Sequence, residues 1–330
     1  MSTLITADWH LTELAKDRYR FKALEWMLGL LVERNIEQMI ILGDLTHNKN
    51  YHSDSLTNDV VGFLHQFAKM CPVYILQGNH DYVEADDAFF QFTQFIRNIT
   101  WIWMPRIISL PNLGMCGFLP HTRDYERDWG DIKRDWFDVA LIFAHNSFEG
   151  AVGETGKRLS GIPLSVFPDV QVISGDVHAP QTLGKDHQLI YAGSPFTQKF
   201  GDDYEPRVLV LDNGIIGSVP VPGPQKRLYD ICSVGDLDRS ARSYDGDFIK
   251  VRYHLQQDER DGWQGIKARV EQFFDNAASV QVVPVLEQKA LARVPHRDNK
   301  SDHELVKQYG RQQELSPEEL VTGFEICDAA

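Results

Sequence analysis

The sequence predicts an α/β protein whose first part is a largely parallel sheet. Over the first hundred residues, short apolar runs alternate with segments in which apolar residues recur at helical spacing. Such alternation is typical of parallel sheets, because parallel strands need a crossover connection, usually a helix. Five apolar runs in the chain also end in aspartate, histidine or asparagine. Ligands bind at the carboxyl ends of strands in open α/β sheets, so we expect these polar residues to cluster at one edge.

The N-terminal hundred residues contain three predicted strands and three predicted helices. The strands are TLIT, QMIIL and PVYIL. The helices are RYRFKALEWMLGLLVERN, SLTNDVVGFLHQFAKM and ADDAFFQFTQFIRN. In the first helix, one face carries Phe21, Leu24, Met27, Leu28 and Leu31. The third begins with acidic residues, which favour a helix N-terminus. The predicted order is therefore β-α-β-α-β-α.

The middle of the chain is richer in strands. Short apolar runs bounded by turn residues predict strands at WIWM, RIISL, MCGFL, DVALIFA, VQVIS and QLIYA. The stretch RVLVLDNGIIGSVPV predicts a hairpin, because the dipeptide Asn213-Gly214 favours a primed turn. Prolines at 220, 222 and 224 follow it and indicate a domain edge.

The C-terminal part predicts a small unit and a tail. The stretches DFIKVRYHL, GWQGIKARVEQFF and SVQVVPVL predict one β-α-β block. RVPHRDNKSD is polar and predicts a linker, and SPEELVTGFEI has a Ser-Pro-Glu-Glu helix start. We therefore divide the chain into a main domain over 1–222, a small domain over 223–290, and a linker with a helical tail over 291–330.

Composition limits the class of protein. The hydrophobic fraction of 43% is ordinary for a globular chain, and no apolar run approaches the ~20 residues of a membrane span. The start lacks the basic segment of a signal peptide, and the four cysteines show no CxxC spacing. We therefore expect a cytoplasmic protein with reduced thiols and no membrane contact. The net charge of −14 argues against a general nucleic-acid coat, although bound cations would reverse the sign locally.

The polar residues that follow the strands have the chemistry of metal ligands. They are Asp8, His10, Asp44, Asn79, His80, Asp81, His145, Asp176 and His178. A set without cysteine suits Mn²⁺, Fe²⁺, Zn²⁺ or Mg²⁺. So many candidates exceed the needs of one ion, whereas two ions ~3.5–4 Å apart, bridged by a carboxylate, would use them. A lone histidine after a strand is usually structural, but five such strand ends in one chain favour a shared site.

The order D-x-H, G-D, G-N-H-D, H and G-x-x-H resembles that of the calcineurin-like metallophosphoesterase superfamily, over residues 4–178. The stretches GDLTHNKN, GNHDY and YAGSPF, with the small block and the tail, are similar to the SbcD-type DNA exonucleases, which include phage members. The resemblance implies a four-layer α-β-β-α sandwich with a small C-terminal β-α-β cap. It also implies phosphodiester hydrolysis with two divalent ions. Mn²⁺ is the expected metal for both ions, and Mg²⁺ is the alternative.

The resemblance also implies roles for individual residues. Asp8, His10 and His178 would bind the first ion, Asp44 would bridge, and Asn79, His145 and Asp176 would bind the second. His80 would be the catalytic histidine, steadied by Asp81. Lys49 and His52 lie in the loop HNKNYHSD that follows Asp44, and they are candidates for contact with the substrate backbone.

One ligand position departs from the family. Where the family usually has histidine, this chain has Asp176, which adds negative charge and favours harder ions such as Mn²⁺ or Mg²⁺. A decayed site would be expected to carry an apolar or bulky replacement and to lose other motif residues. The other ligand residues are all present here, which favours a working anionic ligand.

The leading interpretation is the Mn²⁺-dependent nuclease subunit of an SbcCD-like complex, an exonuclease with single-strand endonuclease activity in DNA repair, recombination or replication. Two alternatives stay open: a phosphodiesterase acting on a small nucleotide, and a non-catalytic scaffold with a degraded metal site. The resemblance implies DNA and an SbcC-type ATPase as partners, the ATPase bound through the tail. The alternative for the tail is that it docks on the cap of its own chain. The resemblance also implies a homodimer through five phenylalanines whose helical positions look exposed, with packing in the core as the alternative: Phe63, Phe67, Phe89, Phe90 and Phe92.

Overall fold

The computed structural model describes residues 2–84, 86–130, 139–153, 155–185, 188–237, 246–286, 302–312, 320–321 and 324. Two six-stranded sheets and one three-stranded sheet form the framework. All but the last residue of the predicted linker RVPHRDNKSD, and most of the predicted helix SPEELVTGFEI, lie outside these residues. No helix within the described ranges is long and apolar enough to cross a membrane.

The first sheet contains the parallel strands predicted from the N-terminal part of the chain. Its strands are β1 (Ser2–Thr6), β2 (Ile36–Ile41), β3 (Val73–Leu76), β4 (Ile99–Ile102), β11 (Arg207–Asp212) and β12 (Ile215–Pro220). They lie in the order β12-β11-β1-β2-β3-β4, and β1 to β4 are parallel. Asn213 and Gly214, between β11 and β12, have φ angles of 50° and 79°, as a primed turn requires. The predicted hairpin is therefore confirmed.

Two long helices cover the outer face of the first sheet. They are α1 (Tyr19–Glu33) and α2 (Asp54–Met70), and both match predicted helices. Leu24 of α1 and Leu64 of α2 lie in the same buried cluster as Met39 and Ile75 of the sheet. The N-terminus of α2 is capped by Ser53, whose Oγ accepts a hydrogen bond from the Leu56 amide at 3.2 Å.

The third predicted helix is wrong in type. The stretch ADDAFFQFTQFIRN forms a 3₁₀ helix over Phe89–Phe95 and not an α-helix. Hydrogen bonds there join residues three apart, since the Gln91 amide donates to the Ala88 carbonyl at 3.0 Å. Aromatic residues are weak helix formers, and Phe90 is fully buried. Packing of this aromatic side chain therefore outweighs the helical periodicity of the sequence.

The five phenylalanines predicted to form a dimer surface divide into two groups. Phe67 and Phe90 are 0% exposed and belong to the core, so their predicted exposure is wrong. Phe63 is half-buried, with its ring 6.0 Å from that of Phe21. Phe89 and Phe92 are 37% and 43% exposed. Helical spacing identifies a face, but only the packing of the whole chain decides which face meets the sheet.

The second sheet is formed by the middle of the chain. Its strands are β5 (Arg106–Leu110), β6 (Gly114–Leu119), β7 (Leu141–His145), β8 (Val172–Gly175), β9 (Gln181–Leu183) and β10 (Leu189–Tyr191). They lie in the order β5-β6-β7-β8-β10-β9. Strand β9 is the one that the sequence pattern does not predict, because three partly exposed residues form no apolar run.

Apolar side chains fill the space between the two sheets. Ile40 and Leu76 from the first sheet share one buried cluster with Phe118 and Phe143 from the second. Another buried cluster, which includes Phe148, covers the outer face of the second sheet. In the described residues that cover consists of loops and short helices such as α3 (Tyr125–Asp128). The layered sandwich expected from the sequence is confirmed, with long helices on the first sheet and mainly irregular chain on the second.

The C-terminal unit is a parallel sheet of three strands with one helix. Its elements are β13 (Lys226–Ile231), β14 (Phe248–Leu255), α4 (Trp263–Phe273) and β15 (Ser279–Leu286). The last three match the predicted β-α-β block. Strand β13 begins inside the proline-rich stretch predicted as a domain edge, and the sequence does not predict it. A further helix, α5 (Asp302–Gln312), follows, and the domain division at residues 222 and 290 stays a prediction.

Candidate metal centre

The predicted ligand residues converge at the strand ends, but two sheets contribute and not one. Asp8 follows β1, Asp44 follows β2, and Asn79 follows β3, all in the first sheet. His145 ends β7 and Asp176 follows β8, both in the second sheet. The expectation of a single sheet edge is therefore wrong. The site lies where the carboxyl ends of two packed sheets meet, which encloses it on two sides.

The first ligand group joins both Asp-x-His motifs. Asp8, His10 and His178 each offer one ligand atom, and these atoms all lie within 4.8 Å of one another. The Nε2 atoms of His10 and His178 are 3.0 Å apart, although the two residues are 168 positions apart in the chain. Two imidazole nitrogens that face each other at this distance have the arrangement of two ligands directed at one ion.

The second ligand group lies on the other side of Asp44. Asp8, Asp44 and His145 form it, again with ligand atoms within 4.8 Å. One carboxylate oxygen of Asp44 is 3.3 Å from His10 Nε2, and the other is 3.5 Å from His145 Nε2. Asp176 Oδ1 lies 3.9 Å from His145 Nε2. Asp44 is thus placed between the two groups, as the predicted bridging role requires, and Asp8 belongs to both.

Polar atoms without hydrogen-bond partners mark the same place. Within the described part of the chain, Asp8 Oδ2, Asn79 Oδ1 and His145 Nε2 are buried and take part in no hydrogen bond. Buried polar atoms are nearly always paired, so a group of such atoms needs an explanation. All three atoms have lone pairs for a cation, and neighbouring donors are oxygen and imidazole nitrogen. The residues present therefore fit two divalent metal ions.

Electrostatics agree with this assignment. Burial raises the pKa of Asp44 well above its usual value. Burial also disfavours the charged form of His145, but the carboxylates of Asp44, Asp8 and Asp176 outweigh it and raise the pKa of His145 to about 9. Several carboxylates in a dry site demand positive charge, and metal ions supply it in sites of this type.

The backbone is strained at the ligand positions. Asp8, His10, Asp44 and Asp176 have φ angles of 55°, 40°, 57° and 83°, in the left-handed region that non-glycine residues rarely adopt. The Asp8 amide donates to the Gly43 carbonyl at 3.1 Å, and the His10 amide donates to the Asp44 carbonyl at 2.9 Å. Such strain clusters at functional sites and persists only where surrounding contacts hold it.

The motif G-N-H-D needs glycine at position 78 for a steric reason that the sequence does not show. A Cβ atom on Gly78 would lie 2.3 Å from Asp44 Oδ1 and 2.8 Å from His145 Cε1. The backbone after β3 therefore approaches the two ligands more closely than any side chain allows.

Asp81 connects the two loops that follow β2 and β3. The Asp81 carboxylate accepts hydrogen bonds from the amides of Gly78, Asp44 and Leu45, at 2.7, 2.9 and 2.9 Å. It is 1% exposed and holds the ligand loops together. Its predicted role in steadying His80 stays a prediction.

His80 is oriented by another residue than the one expected. Its Nδ1 donates to the His47 carbonyl at 2.6 Å, and its amide donates to Asp44 Oδ1 at 2.8 Å. Burial lowers the pKa of His80. The hydrogen bond to the His47 carbonyl opposes this shift, and the nearby Lys49 and the His47 ring add to it. A bound phosphate would act in the opposite direction, because negative charge favours imidazolium.

His47 is a neighbour that the sequence leaves without a role. His10, His47 and His80 form a third group with ligand atoms within 4.8 Å, and the His47 ring is 5.5 Å from that of His80. The signal that could identify it is its position three residues after Asp44 in GDLTH.

The two predicted substrate-binding residues differ in their surroundings. The Nε2 atom of His52 is 2.7 Å from Thr46 Oγ1 and 3.0 Å from the Asn48 carbonyl. Its ring lies 4.2 Å from that of Phe89, so His52 stabilises its own loop. Its contact with a substrate stays a prediction. Lys49 is half-buried and lines a small cavity beside Phe89, which is separate from the cavity at the metal centre described below.

One cavity opens directly on the candidate metal ligands. It has a volume of about 470 Å³ and includes His10, Asp44, His80 and His178 in its lining. Apolar side chains of Val152, Leu159 and Val177 form one wall, and the loop of Asp202, Asp203 and Tyr204 forms another. A cavity of this size holds one small organic group.

Comparison with known proteins agrees with this geometry. The calcineurin-like phosphoesterase family matches residues 1–209. The chain belongs to this family. It is 30% identical over 209 residues, 60% of this chain and 71% of the other, to the "Putative phosphoesterase 244L" of Invertebrate iridescent virus 6. The calcineurin-like chain is therefore a hydrolase of phosphoester bonds.

Solved structures with similarity to the chain include two enzymes. An archaeal phosphodiesterase matches with a TM-score of 0.38 at 12% identity, over 67% of this chain and 99% of its own. YfcE, a phosphoesterase from E. coli, matches with a TM-score of 0.36 at 16% identity, over 67% of this chain and 100% of its own.

Gly78→Ala tests the close approach at the metal centre. We expect it to lower the free energy of unfolding by about 1–3 kcal/mol, as overpacking typically does, and to weaken Mn²⁺ binding. Gly29→Ala is the matched control, because it lies inside α1 with no atom within 4 Å of its added Cβ. It should raise stability by up to about 1 kcal/mol. Equal Mn²⁺ affinity for the two variants in calorimetry would contradict the steric role of Gly78.

Proposed function

We propose that this phosphoesterase is a DNA nuclease of the SbcD type, an exonuclease with single-strand endonuclease activity that uses two divalent ions. The observation that carries the proposal is the pair of ligand groups on either side of the Asp44 carboxylate. Mn²⁺ is the favoured metal and Mg²⁺ is the alternative, because the ligand atoms belong to carboxylates and imidazoles and not to a thiolate. When bound, two such ions lower the pKa of water and neutralise charge on a phosphate.

The side chains around the ions have distinct tasks in this proposal. The Nδ1–H bond of His80 to the His47 carbonyl leaves Nε2 as the atom that can hold or release a proton at the leaving oxygen. The His80 ring is 4.5 Å from that of His10, so it lies at the edge of the ligand cluster. Asp81 keeps this turn in place by binding the Gly78 and Asp44 amides.

Support for a polymeric substrate comes from a second cavity beside the first. It has a volume of about 880 Å³ and is lined by residues 225–229, which include the start of β13. The loop of residues 201–204 lines both cavities, so the surface continues from the metal ligands to the C-terminal unit. A continuous surface of this length suits a chain of nucleotides better than a single nucleotide.

A phosphodiesterase acting on a small nucleotide is the second candidate, and one observation favours it. The cavity at the metal centre is about 470 Å³, has an apolar wall at Val152 and Leu159, and is also lined by Asp202 and Asp203. An apolar wall can hold one base. Two aspartates repel a long polyanion more than a small one.

We also propose the partners that the resemblance implies. Phe89 and Phe92 keep enough exposure for a contact between two copies of the chain.

The tail residues Leu320 and Phe324 lie beside α5. A Cβ on Gly310 would be 2.2 Å from Leu320, and Lys307 Nζ lies 5.8 Å from the Phe324 ring centroid. Light scattering tests the dimer, and co-purification before and after removal of residues 312–330 tests an ATPase partner.

Cleavage of end-labelled linear DNA tests the proposed function. We expect loss of terminal nucleotides with Mn²⁺, weaker loss with Mg²⁺, and none with a chelator. The inactive control is Asp44→Asn, which removes the bridging charge between the ligand groups. Hydrolysis of bis(p-nitrophenyl) phosphate without DNA cleavage would favour the small-nucleotide candidate and overturn the nuclease.

His80→Asn tests the separation of catalysis from metal binding. We expect both ions to stay bound and turnover to fall about 10²–10⁴-fold, the usual contribution of a positioned acid or base. Metal content is measured by elemental analysis of the purified variant. Loss of one ion would show that His80 is a ligand.

Substitutions of Asp176 test whether this departure from the family pattern is a working metal ligand. Its Oδ2 accepts a hydrogen bond from Ser147 Oγ at 2.5 Å, and Oδ1 faces His145. We expect Asp176→Ala to lose the second ion and about 10²-fold or more of kcat, since charge stabilisation of the transition state is lost. Asp176→His should stay active and bind softer ions better.

The matched control for this experiment is Asp203→Ala. Asp203 is an exposed carboxylate on the same cavity but belongs to neither ligand group. It should retain both ions, as measured by elemental analysis. Full metal content and full activity in Asp176→Ala would remove Asp176 from the second site.

A further inference from the structure

A second group of buried charges lies outside the metal centre. Lys226, at the start of β13, is 8% exposed, Asp17 is 3% exposed and Arg20 of α1 is 4% exposed. Lys226 Nζ donates to Asp17 Oδ1 at 2.9 Å, and Arg20 Nη2 is 3.7 Å from the same oxygen. Burial of charges is costly even when they are paired, so such a group is weak evidence for stability and suggests another role.

The group contacts the backbone of two metal ligands. Lys226 Nζ also donates to the Gln198 carbonyl at 3.1 Å. The Gln198 side chain donates through Nε2 to the Asp8 carbonyl at 2.8 Å. Arg20 donates to the His10 carbonyl. A continuous path of hydrogen bonds therefore runs from the first strand of the C-terminal unit to the Asp-x-His turn.

The backbone of that turn is strained. Asp8 and His10 both have left-handed φ angles, 55° and 40°, and strained residues keep such angles only when neighbouring contacts hold them. Ser194 Oγ adds a second hydrogen bond to the Asp8 carbonyl, at 3.0 Å. The Asp8 carbonyl is thus held by two side chains from a distant part of the chain, and the His10 carbonyl by Arg20 of α1.

The C-terminal unit meets the main domain at this same place. The Lys226 amide donates to Thr197 Oγ1 at 2.7 Å, and the Tyr19 hydroxyl donates to the Thr197 carbonyl at 2.9 Å. The ring of Phe248, at the start of β14, lies 5.2 Å from that of Tyr19. A displacement of β13 would therefore pull directly on the residues that hold the Asp8–His10 turn.

We propose that Lys226, Asp17, Arg20 and Gln198 are positioning residues through which the C-terminal unit sets the affinity of the Asp8–His10–His178 metal site. The inference rests on the proposed metal centre but not on DNA as the substrate. When β13 is seated, Lys226 and Arg20 hold Gln198 and the turn in the geometry that binds an ion. When β13 moves, the turn relaxes and the first ion is held less tightly.

Mn²⁺ titration calorimetry on the full chain tests the proposal, with melting temperature measured alongside. We expect Lys226→Met to weaken Mn²⁺ binding about 10–100-fold, the usual effect of losing a residue that orients a ligand. Kcat should recover at saturating Mn²⁺. Lys226→Arg, which keeps the charge, should restore much of the affinity.

The matched control is Arg227→Met. Arg227 is the next residue of β13, and its Nε pairs with Asp247 Oδ2 at 2.5 Å inside the C-terminal unit. We expect lower stability but unchanged Mn²⁺ affinity, because this pair does not reach the turn. Equal Mn²⁺ affinity for Lys226→Met and Arg227→Met would overturn the proposal.

Gln198→Leu keeps the test valid if Lys226→Met does not fold. It removes the donation to the Asp8 carbonyl without leaving a buried charge unpaired, and should weaken Mn²⁺ binding by a similar factor. Parent-like affinity in a folded Gln198→Leu protein would refute the path. A parent chain that binds Mn²⁺ but does not cleave DNA would refute the nuclease alone and leave the proposed path intact.

Discussion

The burial of several carboxylates at one point is the constraint on which the rest of the structure depends. Asp8 and Asp44 are 0% and 2% exposed, and they lie beside His145 where the ends of two sheets meet. Such a concentration of negative charge is unfavourable in a dry environment unless cations compensate it. The raised pKa of His145, about 9, expresses the same demand for positive charge. Metal binding and the stability of the sandwich are therefore coupled.

The backbone meets this constraint by close approach and strain. Gly78 allows the chain after β3 to lie against Asp44 and His145, and left-handed turns direct Asp8 and Asp176 into the site. The Asp81 carboxylate connects the loops after β2 and β3 through three amides. The long core between and around the sheets supplies the rigidity that keeps these turns in place. Side chains with no contact to a substrate thus decide whether the ligands are correctly placed.

The C-terminal unit has a place in the same arrangement. It lies beyond the residues that match the family, yet Lys226 reaches into the main domain and shares its partners with Arg20. The loop of residues 201–204 borders both the metal cavity and the cleft at β13. The metal cavity, this cleft and the contacts that seat the C-terminal unit therefore border one another.

The sequence by itself determined most local features: the strands other than β9 and β13, α1 and α2, the hairpin turn at Asn213, and the order of candidate metal ligands at strand ends. These follow from periodicity and turn chemistry over a few residues. Only the tertiary structure decided that two sheets share the site, that Phe67 is core, that His52 binds its own loop, and that β13 exists. Contacts such as that between His10 and His178 join residues 168 positions apart, and no local pattern encodes which distant partner a buried side chain meets.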